Sequence, residues 1–397
     1  MKICFITKNK FFLDKNLLIS NGLLWYEEAG ILGFKFEEIE KLILIGFKIT
    51  EKFDGYVYNK GTENGIFVVG SRFKEEKRYI LDRLTNIFST LKEIWKNRKI
   101  LKDVDLVFAP FFEYVGFEFL LLKLICKKSK FVVYVIGDYP ERNYKKNQSL
   151  FLKIFLIFNQ WFSIKLSSES WFISEYLLKR YGSRNSVIVR SSSIKEVNIV
   201  NISKKFKLPF TLIFVGRIEQ DKNPLLLPVI LKKIQEKGFN IRLKILGDGP
   251  LKEKLVEKIN QLNLGEIVDF YGWVKDREKI FEVLDEGNVL LLPSIAGEGT
   301  PLVFFEALSR GLPIISTNFP GADEVITDGI NGYLIDYSTN EDIVSQFVDK
   351  IEFLIKNHEI YEEILKNNLE KAKKWTIEEF SKIQRERIMK LIYERKN

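Results

Sequence analysis

The stretch NVLLLPSIAGEGTPLVFFEALSRGLPIIST, Asn288 to Thr317, decides the fold. It opens on a buried-strand run, NVLLLPS, and closes on another strand, LPIIST. Between them Thr300 is placed to cap a helix, Pro301 takes its first position and Gly311 follows its end. Strand, single helix and strand make a βαβ unit, whose two strands lie parallel. Two glutamates interrupt the unit: Glu298 in the loop before the helix, and Glu306 about two turns along it. Glu306, Ser309 and Arg310 share one narrow polar stripe on a helix otherwise apolar nearly all round. Such a stripe fits a carboxylate aimed into a cleft to bind hydroxyls. It fits equally an exposed Glu306–Arg310 pair at i,i+4 spacing, worth about 0.3–0.5 kcal/mol.

Outward from this unit the same alternation continues. FTLIFVGRI, a helix from near Pro224 to before Gly238, IRLKIL, GDGP, a helix from Leu251, IVDFYG, a short helix near Arg277 to Leu284, and GYLID all read as strand–helix repeats. They describe a doubly wound parallel sheet. The first half is less regular: ICFIT, DGYVYN, GIFVVG, DLVFAP and FVVYVIG read as strands, with helices over 78–99 and 116–127. Residues 171–174 and 187–190 read as its last strands, and the polar stretch 191–205 as a linker. The expected domains are 1–195 and 205–372, with a basic amphipathic C-terminal helix over 375–397 packing back on the first. A chain of 397 residues is long for one core, which agrees.

Composition excludes several classes. Hydrophobic residues make up 46% of the chain, enough for packed cores and too much for a disordered protein. Cys4 and Cys126 lie far apart in apolar runs, which points to a reduced, cytoplasmic protein rather than a disulfide scaffold. With His358 the only histidine, a Cys/His metal cluster is excluded. The apolar run Leu150–Phe162 is broken by Lys153, Asn159 and Gln160, and falls short of the roughly 20 residues a bilayer span needs. The net charge of +9 divides into +11 for residues 1–200 and −2 for 201–397, so the first half is the part that attracts anions.

Ligands of open parallel sheets bind beyond the carboxyl ends of the strands, beside helix N-termini. Gly216 and Arg217 end the first strand of the second half, with Lys222 in the following loop. Together the arginine fork and the lysine point charge can neutralise a diphosphate, although an Arg-x4-Lys spacing alone also suits a solvated turn. Gly247 and Gly249, in GDGP, end the second strand, and residues 297–300 follow the strand NVLLLPS.

In order along the chain, GRIEQDK, ILGDGP, FYGWV, EGTPLVFFEALSRGLPII and PGADEVITDGINGYLI resemble the donor domain of family 4 glycosyltransferases of the GT-B fold. The likeness covers about Thr211 to Tyr337. It implies two Rossmann-like domains facing a central cleft, and retaining transfer of a sugar from a nucleotide sugar. By the same resemblance Arg217 and Lys222 hold the diphosphate, with backbone N–H groups near Thr300, Pro301 and Leu302. Glu306 accepts from the ribose hydroxyls, Glu298 contacts the transferred sugar and Val274 lies by the base. Gly216, Gly247, Gly249 and Gly299 line the same pocket. No metal is expected, because Arg217, Lys222 and the helix N-terminus take a cation's place at the leaving diphosphate.

The first half matches the family only in its strand pattern. Where many members carry a glycine-rich loop after the first strand, this chain has TKNKFFLDKN, and no histidine is available near the reacting centre. FVVYVIG ends instead in Asp138, an acceptor-side candidate and equally a turn or cap aspartate. Asp103-x-Asp105 precedes a strand and reads as a solvated loop rather than a metal-diphosphate site. The basic aromatic region Lys145–Lys165 reads as domain core or as a membrane-surface helix, more than as a nucleic-acid face.

The reading is a glycosyltransferase moving a hexose-type sugar from a UDP- or GDP-sugar to a carbohydrate acceptor. A lipid-linked intermediate of surface polysaccharide assembly, met at an anionic inner membrane face, suits the basic first half. The alternatives are a catalytically silent partner subunit of another glycosyltransferase and a sugar-nucleotide epimerase of the same fold.

Overall fold

The computed structural model describes residues 1–14, 17–20, 34, 38–48, 56–59, 65–72, 79–110, 115–138, 150–195, 197, 206–295, 300–337 and 340–393. The chain divides into two units, Met1–Ser191 with Phe380–Asn397, and Ser192–Glu379.

In the first unit the strands are β1 (Lys2–Asp14), β2 (Leu17–Ser20), β3 (Lys41–Lys48), β4 (Tyr56–Asn59), β5 (Gly65–Arg72), β6 (Leu106–Pro110), β7 (Lys130–Val135), β8 (Glu169–Phe172) and β9 (Ser186–Ile188). A parallel path runs β5-β3-β1-β6-β7-β8-β9, and β2 and β4 add an antiparallel extension from β1. The helices are α1 (Tyr79–Lys96), α2 (Arg98–Leu101), α3 (Val115–Ile125), α4 (Leu150–Leu166) and α5 (Glu175–Tyr181).

Two features depart from the sequence expectation. Within TKNKFFLDKN, residues 7–14 are not a loop: β1 runs through them to Asp14, and its end pairs antiparallel with β2. The pairing of β1 with β3 slips between Ile6 and Lys10, and this irregularity breaks the period that would mark one long strand. KLILIGFK forms β3, a central strand absent from the sequence reading.

Aromatic packing centres this core. Phe108 on β6 stacks on Phe5 of β1 at 5.4 Å and meets Trp171 of β8 edge-on at 5.5 Å. The last helix, α12 (Ile377–Tyr393), belongs to this unit from Phe380 onward. Its Arg385 pairs with Glu38, Arg387 grips Glu169 through Nε and Nη2 at 2.9 and 3.0 Å, and Ile388 is fully buried. Among the described residues, no helix is long and apolar enough to cross a membrane.

The second unit follows the doubly wound scheme closely. Its elements are β10 (Phe210–Val215), α6 (Leu227–Glu236), β11 (Ile241–Leu246), α7 (Lys252–Gln261), β12 (Val268–Gly272), α8 (Arg277–Glu286), β13 (Val289–Leu292), α9 (Leu302–Ser309), β14 (Ile314–Thr317), β15 (Gly332–Ile335), α10 (Asn340–Lys356) and α11 (His358–Lys373). All six strands are parallel in the order β12-β11-β10-β13-β14-β15. The chain starts at β10, steps outward through β11 and β12, then returns to β13 and steps the other way. The order therefore reverses between β10 and β13, where an open α/β sheet leaves a crevice beyond its strand ends. Residues 289–292 and 314–317 are buried throughout, as expected of central strands covered by helices on both faces. This is the doubly wound parallel α/β fold anticipated from the sequence.

Candidate functional site

Beyond the carboxyl ends of β10 to β13, backbone hydrogen bonds stitch four strand-end loops into one floor. Gly216 N–H donates to Leu246 at 3.0 Å, Ile218 N–H to Asp248 at 2.9 Å, and Leu251 N–H to Ile218 at 3.0 Å. Gly247 N–H donates to Gly272 at 2.7 Å, and Ile295 N–H to Asp221 at 2.9 Å. Such an approach explains the glycines of GDGP. A Cβ on Gly247 would stand 1.8 Å from the Gly216 carbonyl oxygen, and one on Gly249 would stand 2.6 Å from that of Ile218. Only a residue without a side chain lets these two turns lie against each other.

Lys222 ends a one-turn 3-10 helix at Gln220–Lys222 and is buried, its stem passing Gly216. Arg217 is half-buried and engages two carboxylates of its own loop, Glu219 through Nη1 and Asp221 through Nη2 at 2.9 Å. The cation that sequence reasoning assigns to a diphosphate thus rests on an acidic cradle of this loop.

Glu306 sits on α9, a helix buried along almost its whole length. Its carboxylate is not exposed and does not meet Arg310, which corrects the i,i+4 pairing offered by the sequence. Instead Arg277 Nη2 donates to Glu306 Oε1 at 3.1 Å and to the Ser193 carbonyl at 3.1 Å. Burial raises the Glu306 carboxyl above the usual carboxylate range, while Arg277 and the Ser193 side chain pull it back toward the charged form. Arg310 also meets α8, pairing with Asp285 at 2.8 Å and lying over the Phe281 ring at 4.8 Å.

Arg277 escaped the sequence reading, although a signal was present. It occupies the first position of α8, behind the Asp276 cap, where the helix dipole disfavours a cation. An arginine there has its partner elsewhere in the fold.

The start of α9 also shifts by one residue. Pro301 holds the N-cap position with φ −62° and ψ 131°, so Thr300 lies just outside the helix rather than capping it. The Thr300 hydroxyl is buried without a hydrogen-bond partner, as is that of Ser294 after β13. These two hydroxyls bracket residues 296–299; Glu298 and Gly299, two expected site residues, lie outside the described residues. Leu302 is exposed at the first helical position, and its carbonyl accepts from Ser193 Oγ at 3.4 Å. Val274 follows Gly272, a left-handed residue at φ +68°, and packs half-buried against the core beside exposed Trp273.

In the first unit, Asp138 does not fit an acceptor-facing group. Its side chain is 1% exposed and holds Tyr176 Oη at 3.0 Å, Tyr181 Oη at 2.7 Å and Arg180 Nε at 3.3 Å. A carboxylate so occupied ties β7 to α5. Asp103 and Asp105 both serve Lys2, through its Nζ at 2.6 Å and its backbone N–H at 2.7 Å, and so anchor the start of β1.

Residues 197–373 match the family model of glycosyl transferases group 1. A putative colanic acid biosynthesis glycosyltransferase of Salmonella typhimurium is 28% identical over 170 residues, which is 42% of this chain and 41% of that protein. The Escherichia coli UDP-Gal:alpha-D-GlcNAc-diphosphoundecaprenol alpha-1,3-galactosyltransferase is 32% identical over 142 residues, 35% of this chain and 36% of its own. The chain thus spans less than half the length of either relative. In three dimensions, Anabaena HepE in complex with UDP superposes with a TM-score of 0.69 at 14% identity, covering 98% of this chain and all of that one. Its likeness extends the GT-B fold to both units. The second unit is thus similar to group 1 glycosyl transferases over residues 197–373, on a GT-B fold.

Proposed function

We propose that this chain is a family 4-like glycosyltransferase that moves a hexose-type sugar from a nucleoside diphosphate sugar to a carbohydrate hydroxyl with retention of configuration. One observation carries the reading: buried Lys222, Arg217, the start of α9 and buried Glu306 all lie at the carboxyl ends of the strands flanking the reversal of sheet order. Nothing in a βαβ scaffold by itself requires a carboxylate and two cations there.

The donor's diphosphate takes Arg217 and Lys222, and the first-turn N–H groups of α9, which lack intrahelical partners, add to the grip. The orphaned Thr300 hydroxyl supplies one further donor beside them. Glu306, held by Arg277, accepts from the ribose hydroxyls, while Val274 lies by the base and Glu298 meets the sugar. As the acceptor oxygen bonds to the anomeric carbon, the bond from that carbon to the diphosphate breaks, its electron pair stays on the phosphate oxygen, and the acceptor's hydroxyl proton passes to the leaving diphosphate. Arg217, Lys222 and the helix N-terminus stabilise that charge, so this reading assigns a divalent cation no part.

The colanic acid relative and the galactosyltransferase acting on a diphosphoundecaprenol substrate favour a lipid-linked acceptor in polysaccharide assembly. The basic first half suits such an acceptor at the cytoplasmic face of a membrane. The deciding experiment is a thermal-shift panel of UDP-, GDP- and ADP-sugars, in which a ligand at 100 times its Kd adds about 2.7 kcal/mol. Stabilisation by one class, with nucleoside diphosphate released only when acceptor is added, is the expected result. Stabilisation by none removes the assignment, and release without acceptor removes the transfer.

A further inference from the structure

The helices α1, α3 and α4 connect β5 to β6, β6 to β7 and β7 to β8, all stepping the same way across the sheet. Right-handed crossovers place all three on one face, and α3 packs against both α1 and α4. Ten of the nineteen exposed large hydrophobic residues among those described lie on this single layer. They follow helical periods. On α3 they are Phe117, Leu120 and Leu124; on α4, Leu150, Ile154, Ile157, Phe158 and Trp161; on α1, Phe88 and Trp95. Phe117 stacks on Phe155 across the α3–α4 seam at 6.1 Å, so the two stripes join.

The inner side of the same layer buries polar groups beside the core residues Ile94, Phe119, Leu122 and Ile164. Asn159, Gln160 and Ser163 of α4, Glu118 of α3, and Asn86 and Thr90 of α1 are all buried. Asn159 Oδ1 accepts from the Gly116 N–H at 3.1 Å and so binds α4 to α3. A layer that buries amides and hydroxyls while leaving large aromatic and aliphatic groups outside departs from the usual order of helices in water. It matches helices whose outer surface meets an apolar medium.

The charges around the face select its occupant. Exposed Lys92 lies between Phe88 and Trp95 on α1, Lys127 follows Leu124, and Lys165 sits 6.0 Å over the Trp161 ring, whereas Lys123 donates to the Leu166 carbonyl. The only acidic residue of α3, Glu118, is buried, and α4 has none. A second copy pressed against this face would bring lysines onto lysines.

We propose that the outer face of α1, α3 and α4 docks the protein on an anionic lipid bilayer, with its aromatic groups at headgroup depth and its lysines on the lipid charges. This deepens the proposed function by naming the surface that brings a lipid-linked acceptor within reach. It is tested on vesicles without acceptor or donor, so the two can fail separately.

Full-length protein is floated with vesicles of phosphatidylcholine alone and of phosphatidylcholine with phosphatidylglycerol, and its oligomeric state is read by sedimentation. Wild type is expected to float with the anionic vesicles only. Ile154→Glu with Phe158→Glu should lose at least about tenfold in partitioning. Ile330→Glu, an exposed apolar site of the second unit, should lose nothing. Trp95→Phe with Trp161→Phe, which keeps the apolar face, should still float but lose most of the quenching by brominated anionic lipid. Equal flotation of the glutamate variant, or undiminished quenching, overturns the proposal. So does a wild-type dimer that ignores vesicles and becomes a monomer in the glutamate variant.

Discussion

Arg277 Nη2 and Glu306 Oε1 stand 3.1 Å apart, joining the first residue of α8 to the middle of α9 across 29 positions of sequence. The pair does two jobs. It holds a desolvated carboxylate near its charged form, and it fixes where the two carboxylate oxygens point. For a group meant to accept from a ribose diol, orientation matters as much as charge. Glu306→Gln keeps the shape and loses the charge, so nucleotide-sugar affinity should fall about tenfold to a hundredfold, near the 1.5–3 kcal/mol of a hydrogen bond to a charged group. Arg277→Ala should weaken binding by a similar factor without touching the ligand. Isothermal titration of both variants checks this; wild-type affinity in Glu306→Gln would remove the ribose assignment.

The same carboxyl gives a pH signature. Its folded-state pKa is raised by burial, so between the ordinary carboxylate value and the raised one the folded chain binds more protons than the unfolded chain. Stability from this group is therefore highest at low pH and is lost as pH climbs through that window, above which the loss stays constant. Wild type should lose stability relative to Glu306→Gln as pH rises from below 4.5, with the difference flat above the raised pKa. Denaturant melts at stepped pH read this directly. Donor binding should run the opposite way, weakening on acidification as the carboxylate is protonated.

Arg310 separates binding from packing. It pairs with Asp285 and covers Phe281 of α8, and makes no ion pair with Glu306, which pairs with Arg277. Arg310→Ala should therefore cost stability, about 1–3 kcal/mol for a largely buried ion pair losing one partner, and leave nucleotide affinity within twofold of wild type. A loss of affinity comparable to Glu306→Gln would show that the two residues work as one unit.

How far the sequence revealed this molecule differs between its halves. In the second unit each of β10, β11, β13 and β14 is an apolar run next to a helix with its own start or stop signal, so the local pattern and the sheet agree. In the first unit β1 passes through KNK with a register slip, and β3 sits between stretches of no clear period. A local pattern cannot show a strand whose partners repair its irregularity. The site divides the same way. As candidates, Arg217, Lys222 and Gly247 stand out because each follows a strand end, and Glu306 because it is a carboxylate on an apolar helix. Arg277 does not, because its meaning comes from a partner on another element, and Asp138 misled because a strand-end carboxylate looks the same whether it faces a cleft or a pair of tyrosines.

Arg217 and Lys222 hold the transfer reading most directly. Arg217 is paired with Glu219 and Asp221, so a diphosphate competes with two carboxylates for one guanidinium. Removing one of them should help binding. Glu219→Gln is expected to tighten nucleoside diphosphate binding by about twofold to fivefold, the scale of a partly exposed ion pair. Arg217→Ala with Lys222→Ala should abolish turnover and the thermal shift while the chain stays folded. Equal affinity in wild type and Glu219→Gln, with turnover intact in the double variant, would place the diphosphate elsewhere.

The turn at Gly247 sets the limit of tolerance of the floor. At φ +152°, with the Gly216 oxygen 1.8 Å from where a Cβ would be, Gly247→Ala cannot be absorbed by moving a side chain, because the obstacle is backbone. The loops after β10 and β11 must separate, breaking the Gly216–Leu246 and Ile218–Asp248 hydrogen bonds that define the cradle. About 2–4 kcal/mol of stability should be lost. Any protein that remains folded should bind nucleotide at least tenfold more weakly, since Gly216 and Arg217 leave their places together. Gly265→Ala is the matched control: a Cβ there meets nothing within 4 Å, so its melting temperature and nucleotide affinity should both match wild type. Thermal melts and titrations of the pair separate a general glycine effect from the closeness of these two loops.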